Sequence, residues 1–278
     1  MRLEMDIIFL PALLKRAGQV CVESKNRQKT NGIILLYSAY DIPMKKGVLS
    51  IGLAVFFTFT SAVVLCVRAL NAPQAVFGET DEKMTIVLDA GHGGIDGGVV
   101  GRRLGVKESD LNLAITLRLK DALEENGFLV VLTRKTQAGL YGLATKGFKR
   151  RDMERRRQII EENDPALVLS IHQNFYASHS TRGGQVFYKK GDEQGAQFAL
   201  CVQKQLNDLY KVQGAKSRTT MTGEFFMLNC TPSPSLIVEC GFLSNADDEK
   251  LLVDGVWREQ LVHSIAAGVT AYLAQLSL

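Results

Sequence analysis

The chain has 278 residues, 46% of them hydrophobic, which is enough for one or two domains with a buried core. Its net charge of +4 is too small to indicate nucleic-acid binding by itself. The five cysteines include no CxxC pair, which excludes a zinc ribbon and a disulfide framework.

An uncharged segment, residues 47–67, is the most informative part of the N-terminal region. It reads GVLSIGLAVFFTFTSAVVLCV, and it is preceded by two lysines and followed by an arginine. A helix needs about 20 apolar residues to cross a bilayer, and the lysines favour a cytoplasmic N-terminus. We therefore predict a transmembrane signal-anchor over residues 44–69, with everything beyond it outside the cytoplasm. A buried core helix, or cleavage after Ala69 followed by secretion, is the alternative.

The segments on either side of the anchor have different compositions. Residues 1–43 mix apolar patches with a charged stretch, and we interpret them as an N-terminal extension of unknown role, with Met44 as an alternative start. Residues 70–83 are rich in small and polar side chains, which predicts a linker. Residues 84–278 then form a single folded domain.

Within this domain, short apolar strands alternate with amphipathic helices. The predicted strands are Thr85–Leu88, Phe128–Thr133, Leu167–Ile171, Gly184–Tyr188, Glu224–Leu228 and Leu236–Val238. The predicted helices run from a cap at Ser109 or Asp110 to Gly127, over Arg150–Asn163, from about Glu193 to Leu209, and over Trp257–Leu276. This alternation predicts an α/β fold with a mostly parallel central sheet and helices on both faces. Ligands of such folds bind beyond the carboxyl ends of the strands.

A glycine-rich loop follows the first strand in the sequence IVLDAGHGGIDGG. Counting from Gly91, the sixth position is Asp96 and no helix follows directly, so the dinucleotide fingerprint is absent. No GK[ST] of a P-loop and no GxSxG serine elbow occurs. Cys240 has no evident activating base beside it, which argues against a cysteine nucleophile.

Two of the four histidines, His92 and His172, each follow a predicted central strand. A catalytic zinc site has three protein ligands and keeps a position open for water. Glu108 is a candidate third ligand, although a carboxylate at a helix start also fits a role beside the helix dipole. His179 in a polar loop and His263 in the last helix are better explained by solvent-facing and structural roles.

Four motifs of this chain carry a family likeness. VLDAGHGG, KESDLNL, LVLSIHQN and LIVECGFLSN resemble, in order and approximate spacing, the motifs of the zinc-dependent N-acetylmuramoyl-L-alanine amidases that cut peptidoglycan. The likeness extends from about Met84 to the C-terminus. The anchor and the segment TKGFKRRDMERRRQ make the chain most similar to the germination-specific, spore-cortex members.

The resemblance implies an activity and a set of site residues. One Zn²⁺ per chain is held by His92, Glu108 and His172, and Glu239 is the catalytic carboxylate. The reaction is hydrolysis of the amide between N-acetylmuramic acid and L-alanine, in spore cortex maturation or germination. The enzyme is expected in the cell envelope or forespore intermembrane space, with a deacetylase or activator protein as a partner.

Other features qualify this interpretation. Arg134 and Asn174 are candidates for substrate or supporting contacts, with ordinary strand-end polar roles as the alternative. Phe175 stands where the family usually has a small residue, which narrows one wall of the groove. The basic segment KRRDMERRRQ has interleaved acids, which predicts a solvated helix face and no nucleic-acid contact, with contact to anionic wall polymer as the alternative. A peptidoglycan carboxypeptidase, a deacetylase, or a non-catalytic wall-binding scaffold remain alternative functions.

Overall fold

The computed structural model describes residues 83–276, and the predicted anchor lies outside them. Its strands are β1 Thr85–Ala90, β2 Leu129–Leu132, β3 Leu167–Asn174, β4 Gln185–Tyr188, β5 Met221–Thr222 and β6 Ser235–Phe242. Its helices are α1 Glu108–Glu125, α2 Phe148–Asn163, α3 Glu193–Lys211, α4 Phe226–Asn229, α5 Ala246–Val253 and α6 Gly255–Leu276. None of the helices between residues 83 and 276 has the length and apolarity that a membrane crossing requires.

The six strands form one sheet in the order β2-β1-β3-β6-β4-β5. Strands β1, β2, β3 and β6 are parallel to one another, whereas β4 runs antiparallel to β6 and pairs in parallel with β5. The prediction of an α/β fold with a mostly parallel sheet is therefore confirmed. The parallel arrangement places the carboxyl ends of β1, β3 and β6 at one edge.

Side chains of alternate residues enter two hydrophobic clusters on opposite faces of the sheet. Ile86 and Leu88 of β1 belong to a large cluster to which α1, α3 and α6 contribute. Val87 belongs to a smaller cluster that includes Ile160 of α2 and Met227 of α4. Both faces are thus covered, which explains why the central strands are nearly continuous apolar runs.

The predicted strand Glu224–Leu228 is wrong, because the chain forms the short helix α4 there after the edge strand β5. Phe225 and Phe226 stay partly exposed, while the next two residues, Met227 and Leu228, are both buried. Two consecutive buried side chains do not fit the alternation of an edge strand. The short apolar run by itself did not distinguish the two structures.

The start of α1 also differs from its prediction. The cap residue is Lys107, and its side chain makes no capping hydrogen bond. The N–H groups of Glu108 and Ser109 instead donate to the carbonyls of Val99 and Gly97 at 2.9 and 3.1 Å. The preceding glycine-rich loop therefore satisfies the first free donors of the helix, and no capping side chain is needed.

Candidate active site

Three side chains of metal-binding type meet at the carboxyl edge of the sheet. His92 lies in the loop after β1, Glu108 is the first residue of α1, and His172 lies in β3. One ligand atom of each residue lies within 4.8 Å of the others. Oε1 of Glu108 is 2.9 Å from Nδ1 of His172 and 3.3 Å from Nε2 of His92. His172 was predicted just past a strand end, whereas β3 continues through it to Asn174.

Two glycines of the loop leave room for this cluster. A Cβ atom on Gly91 would overlap the imidazole of His172, and a Cβ atom on Gly98 would overlap the carboxylate of Glu108. Gly98 also has a φ of +67°, a left-handed conformation that side chains rarely adopt. Close packing of the cluster therefore explains these two glycines of the motif.

Glu108 is held by amide donors as well as by the two imidazoles. Its Oε2 accepts from the N–H of Val99 at 2.9 Å, and its Oε1 accepts from the N–H of Gln173 at 3.2 Å and from the side-chain amide of Asn112 at 3.3 Å. Burial alone would raise the pKa of Glu108, but the imidazoles hold it well below its ordinary value. The carboxylate is therefore ionised at neutral pH, which is the form that binds a cation.

Asp96 supports His92 from the side away from Glu108. Its Oδ2 lies 3.2 Å from Nδ1 of His92. Burial alone would lower the pKa of His92, but Glu108 and Asp96 together raise it. A carboxylate behind a metal-binding histidine fixes the ring orientation. Asp96 was not among the predicted site residues, although its position four residues after His92 could have indicated this role.

Glu239 lies beside the cluster, because it is paired with His172 in the register of β3 and β6. Its side chain is partly exposed as a whole, but its Oε2 atom is buried and has no hydrogen-bond partner among the described residues. Burial raises the pKa of Glu239 to about 7. A carboxyl group with a free oxygen and a pKa near neutrality is suited to accepting and releasing a proton.

The two remaining predicted site residues have contacts of different kinds. Arg134 is buried, and its guanidinium donates to the carbonyls of Ala90 and Gly91 at 2.8 and 3.0 Å. Asn174 ends β3, and its side-chain oxygen accepts from the N–H of Phe175 at 2.8 Å. Arg134 therefore supports the loop that carries His92, and Asn174 shapes the turn after β3.

The prediction of a solvated face for the basic helix is wrong for one side of α2. Asp152, Arg156 and Ile160, which are spaced four residues apart, are all buried. Arg156 is 1% exposed and forms ion pairs with Asp89 and Asp152. The i, i+4, i+8 spacing of these three residues could have indicated a buried side of the helix, but two of them are charged and lie among other charged residues.

The three residues that the sequence analysis excluded from the site, Cys240, His179 and His263, are not part of the cluster. Cys240 is fully buried, and burial raises the pKa of its thiol far above the ordinary value, which makes it a poor nucleophile. His179 is exposed in its loop. The predicted structural role of His263 is not supported, because its side chain is 62% exposed on α6, where its Nε2 lies 3.4 Å from Oε1 of Glu259.

The cluster has the donor set and the surroundings of a metal centre. Two imidazoles and one carboxylate are a ligand set of catalytic zinc sites, which keep a further position open. A cavity of about 130 Å³ adjoins His92 and His172, and its wall includes Phe148, Met153 and Met227. The residues therefore fit a zinc ion, and the free oxygen of Glu239 lies beside them. This combination of fold and site is typical of a metal-dependent hydrolase.

Comparison with known proteins gives the family. The family model described as N-acetylmuramoyl-L-alanine amidase matches residues 86–271. The germination-specific N-acetylmuramoyl-L-alanine amidase of Bacillus subtilis is 34% identical over 193 residues, which are 68% of this chain and 80% of that protein. The chain therefore belongs to the N-acetylmuramoyl-L-alanine amidase family.

Solved structures agree with this assignment. The CwlD amidase from Clostridioides difficile, determined in complex with the GerS lipoprotein, is 34% identical with a TM-score of 0.66. The similarity covers 69% of this chain and 100% of that chain. The catalytic domain of CwlV from Bacillus (Paenibacillus) polymyxa is 29% identical with a TM-score of 0.59, over 69% of this chain and 98% of that one.

Proposed function

We propose that this protein is a zinc-dependent N-acetylmuramoyl-L-alanine amidase that hydrolyses the amide between the lactyl group of N-acetylmuramic acid and L-alanine in peptidoglycan. The observation that carries the proposal is the meeting of His92, Glu108 and His172 within 4.8 Å, beside Glu239 with its buried, unpartnered Oε2 atom. All four residues lie within the region that the family model matches.

His92, Glu108 and His172 would hold one Zn²⁺ per chain. When bound, zinc would supply a Lewis acid that polarises the scissile carbonyl and lowers the pKa of a bound water to about 7. Glu108 contributes the negative charge of the ligand set, and its amide donors keep the carboxylate in place. Asp96 orients the imidazole of His92, and Gly91 leaves the space that the imidazole of His172 occupies.

Glu239 would carry the proton during hydrolysis. Its free Oε2 takes a proton from the attacking water and then delivers it to the departing amine of L-alanine. A pKa of about 7 suits both steps, because the group gains and loses a proton readily near neutral pH. Positioned proton transfer of this kind contributes roughly 10²–10⁴-fold to the rate.

The names of the relatives support a role in the spore. The similar protein of Bacillus subtilis is described as germination-specific, and the similar amidase of Clostridioides difficile was solved with a lipoprotein. We extend both features to this chain as proposals: action in spore cortex maturation or germination, and a protein partner that acts as activator or as an accompanying deacetylase. Anchoring through residues 47–67, with residues 84–278 as the extracytoplasmic catalytic domain, belongs to the same proposal.

Digestion of purified peptidoglycan by the full-length protein, followed by mass spectrometry, tests the proposed reaction. An amidase releases peptides that begin with L-alanine and leaves free lactyl groups on the glycan. Loss of terminal D-alanine would indicate a carboxypeptidase, and loss of acetyl groups would indicate a deacetylase. Unchanged peptidoglycan in the presence of zinc would favour a wall-binding scaffold. Each of these three outcomes contradicts the proposal.

A further inference from the structure

We propose that Arg156 and Arg134 are positioning residues that fix the metal ligands by clamping three consecutive backbone carbonyls at the end of β1. The carbonyls are those of Ala90, Gly91 and His92. The inference rests on the proposed metal site. Neither arginine belongs to the cluster of His92, Glu108 and His172, and both act through the backbone that carries His92.

Arg156 reaches this backbone from α2. Its Nη1 atom donates to the carbonyl of Ala90 at 2.8 Å, and its Nη2 atom donates to the carbonyl of His92 at 2.6 Å. The same guanidinium is anchored by Asp89 at 2.5 Å and by Asp152 at 2.7 Å. Because both acids are themselves held in the interior, Arg156 has one fixed position.

Arg134 reaches the same backbone from the end of β2. Its Nε atom donates to the carbonyl of Ala90 at 2.8 Å, and its Nη2 atom donates to Gly91 at 3.0 Å. The same Nη2 atom donates to the carbonyl of Ser109 at 2.8 Å. Ser109 directly follows Glu108, so Arg134 ties the loop of one metal ligand to the helix turn of another.

The clamp holds the backbone of His92 in an unusual conformation. His92 has a φ of +63°, and apart from glycine only Asp164 shares a positive φ among residues 83–276. A side chain holds this left-handed conformation only when its surroundings enforce it. The hydrogen bond from Arg156 to the His92 carbonyl supplies that constraint, together with the hydrogen bonds that both arginines donate to the carbonyl of Ala90. The conformation in turn sets the direction of the imidazole.

Lysine cannot replace either arginine in this role. A guanidinium presents five donors in a rigid planar fork, whereas an ammonium is a compact charge on a flexible stem. Arg156→Lys keeps the charge opposite Asp89 but cannot reach both acids and both carbonyls together. The substitution therefore tests the geometry of the clamp and not the charge alone.

The test measures zinc affinity of the full-length protein by competition with a chromophoric chelator. Arg156→Lys and Arg134→Lys are each expected to weaken zinc binding by about 10–100-fold, as supporting residues of metal ligands do. Arg155→Lys is the matched control, because Arg155 is exposed on the same helix and pairs with Glu162. Its zinc affinity should equal that of the unmodified protein.

Thermal melting of the metal-free proteins separates positioning from stability. A merely structural role would lower the melting temperature and leave the zinc Kd of the folded protein unchanged, and that result overturns the clamp. Arg134→Lys leaves the pairs of Arg156 with Asp89 and Asp152 intact, so it serves if Arg156→Lys does not fold. If the unmodified protein bound no zinc, the proposed function would fail, and the clamp with it. If all variants bind zinc as tightly as the unmodified protein, the clamp is refuted while the proposed function stands.

Discussion

Replacing Glu239 with glutamine separates proton transfer from metal binding. Glutamine keeps the size of the side chain but cannot accept the proton of the attacking water. Glu239 is not among the three residues whose ligand atoms lie within 4.8 Å. Glu239→Gln should therefore still bind one zinc per chain while losing hydrolysis.

Two magnitudes follow from the surroundings of Glu239. Loss of positioned proton transfer should lower kcat by roughly 10²–10⁴-fold, which corresponds to about 3–5 kcal/mol. The substitution should also stabilise the metal-free protein. Because burial raises the pKa of Glu239 from 4.5 to about 7, the folded state loses stability as the pH rises through this interval. At pH 8 the uncharged variant should be more stable by up to about 3 kcal/mol.

The assay follows peptide release from peptidoglycan by mass spectrometry, with zinc content measured on the same samples. Glu125→Gln is the control, because Glu125 is exposed at the far end of α1. A Glu239→Gln variant with the kcat of the unmodified protein would refute the proton-transfer role. A variant that loses zinc together with activity would show that Glu239 acts by holding the metal.

Three further substitutions test the site and its support. His172→Ala should lose zinc, as measured by elemental analysis of the purified protein, and retention of a full equivalent would exclude His172 as a ligand. Gly91→Ala should cost about 1–3 kcal/mol of stability and weaken zinc binding, since its Cβ overlaps His172, whereas Gly255→Ala meets no atom within 4 Å and should be near neutral in denaturant titrations. Asp89→Asn should cost up to about 3–5 kcal/mol at pH 7, because it removes one of the two carboxylates that pair with the buried Arg156 and leaves only Asp152; an unchanged melting temperature would contradict this.

The lowered pKa of Asp89 in the folded protein gives the last of these substitutions a pH dependence. Burial alone would raise the pKa, but Arg156 and the hydroxyls of Ser170 and Thr133 hold it below its ordinary value of 3.8. The stability that ionised Asp89 contributes is thus complete above this value and is lost as the pH falls below it. The cost of Asp89→Asn should accordingly shrink in acid, which denaturant titrations at pH 7 and pH 3 would detect.

The sequence alone was sufficient to predict the site residues that lie near the carboxyl ends of strands. His92 and His172 come after apolar runs, and a parallel sheet brings the carboxyl ends of such strands to one edge. Glu108 was ambiguous on pattern alone, because a carboxylate at a helix start has an ordinary role there. The four motifs removed that ambiguity, and the structure brings all three side chains together.

The supporting residues could not be predicted in the same way. Arg156 lies in a helix of mixed charges, and its burial depends on Asp89, a residue 67 positions earlier in the chain. Gln173 of β3 donates its backbone N–H to Glu108 of α1, and only the fold shows that these residues, 65 positions apart, meet. Interactions between distant segments decide which polar side chains are buried, and local patterns do not record them.

The central claim is that one zinc ion at the cluster drives amide hydrolysis, and a metal titration tests it most directly. The full-length protein is stripped with chelator and then titrated with zinc while peptide release is followed. We expect activity to rise linearly and to level off at one equivalent per chain, with no recovery in His172→Ala. Activity that survives chelation, or that zinc restores equally in His172→Ala, would contradict the account.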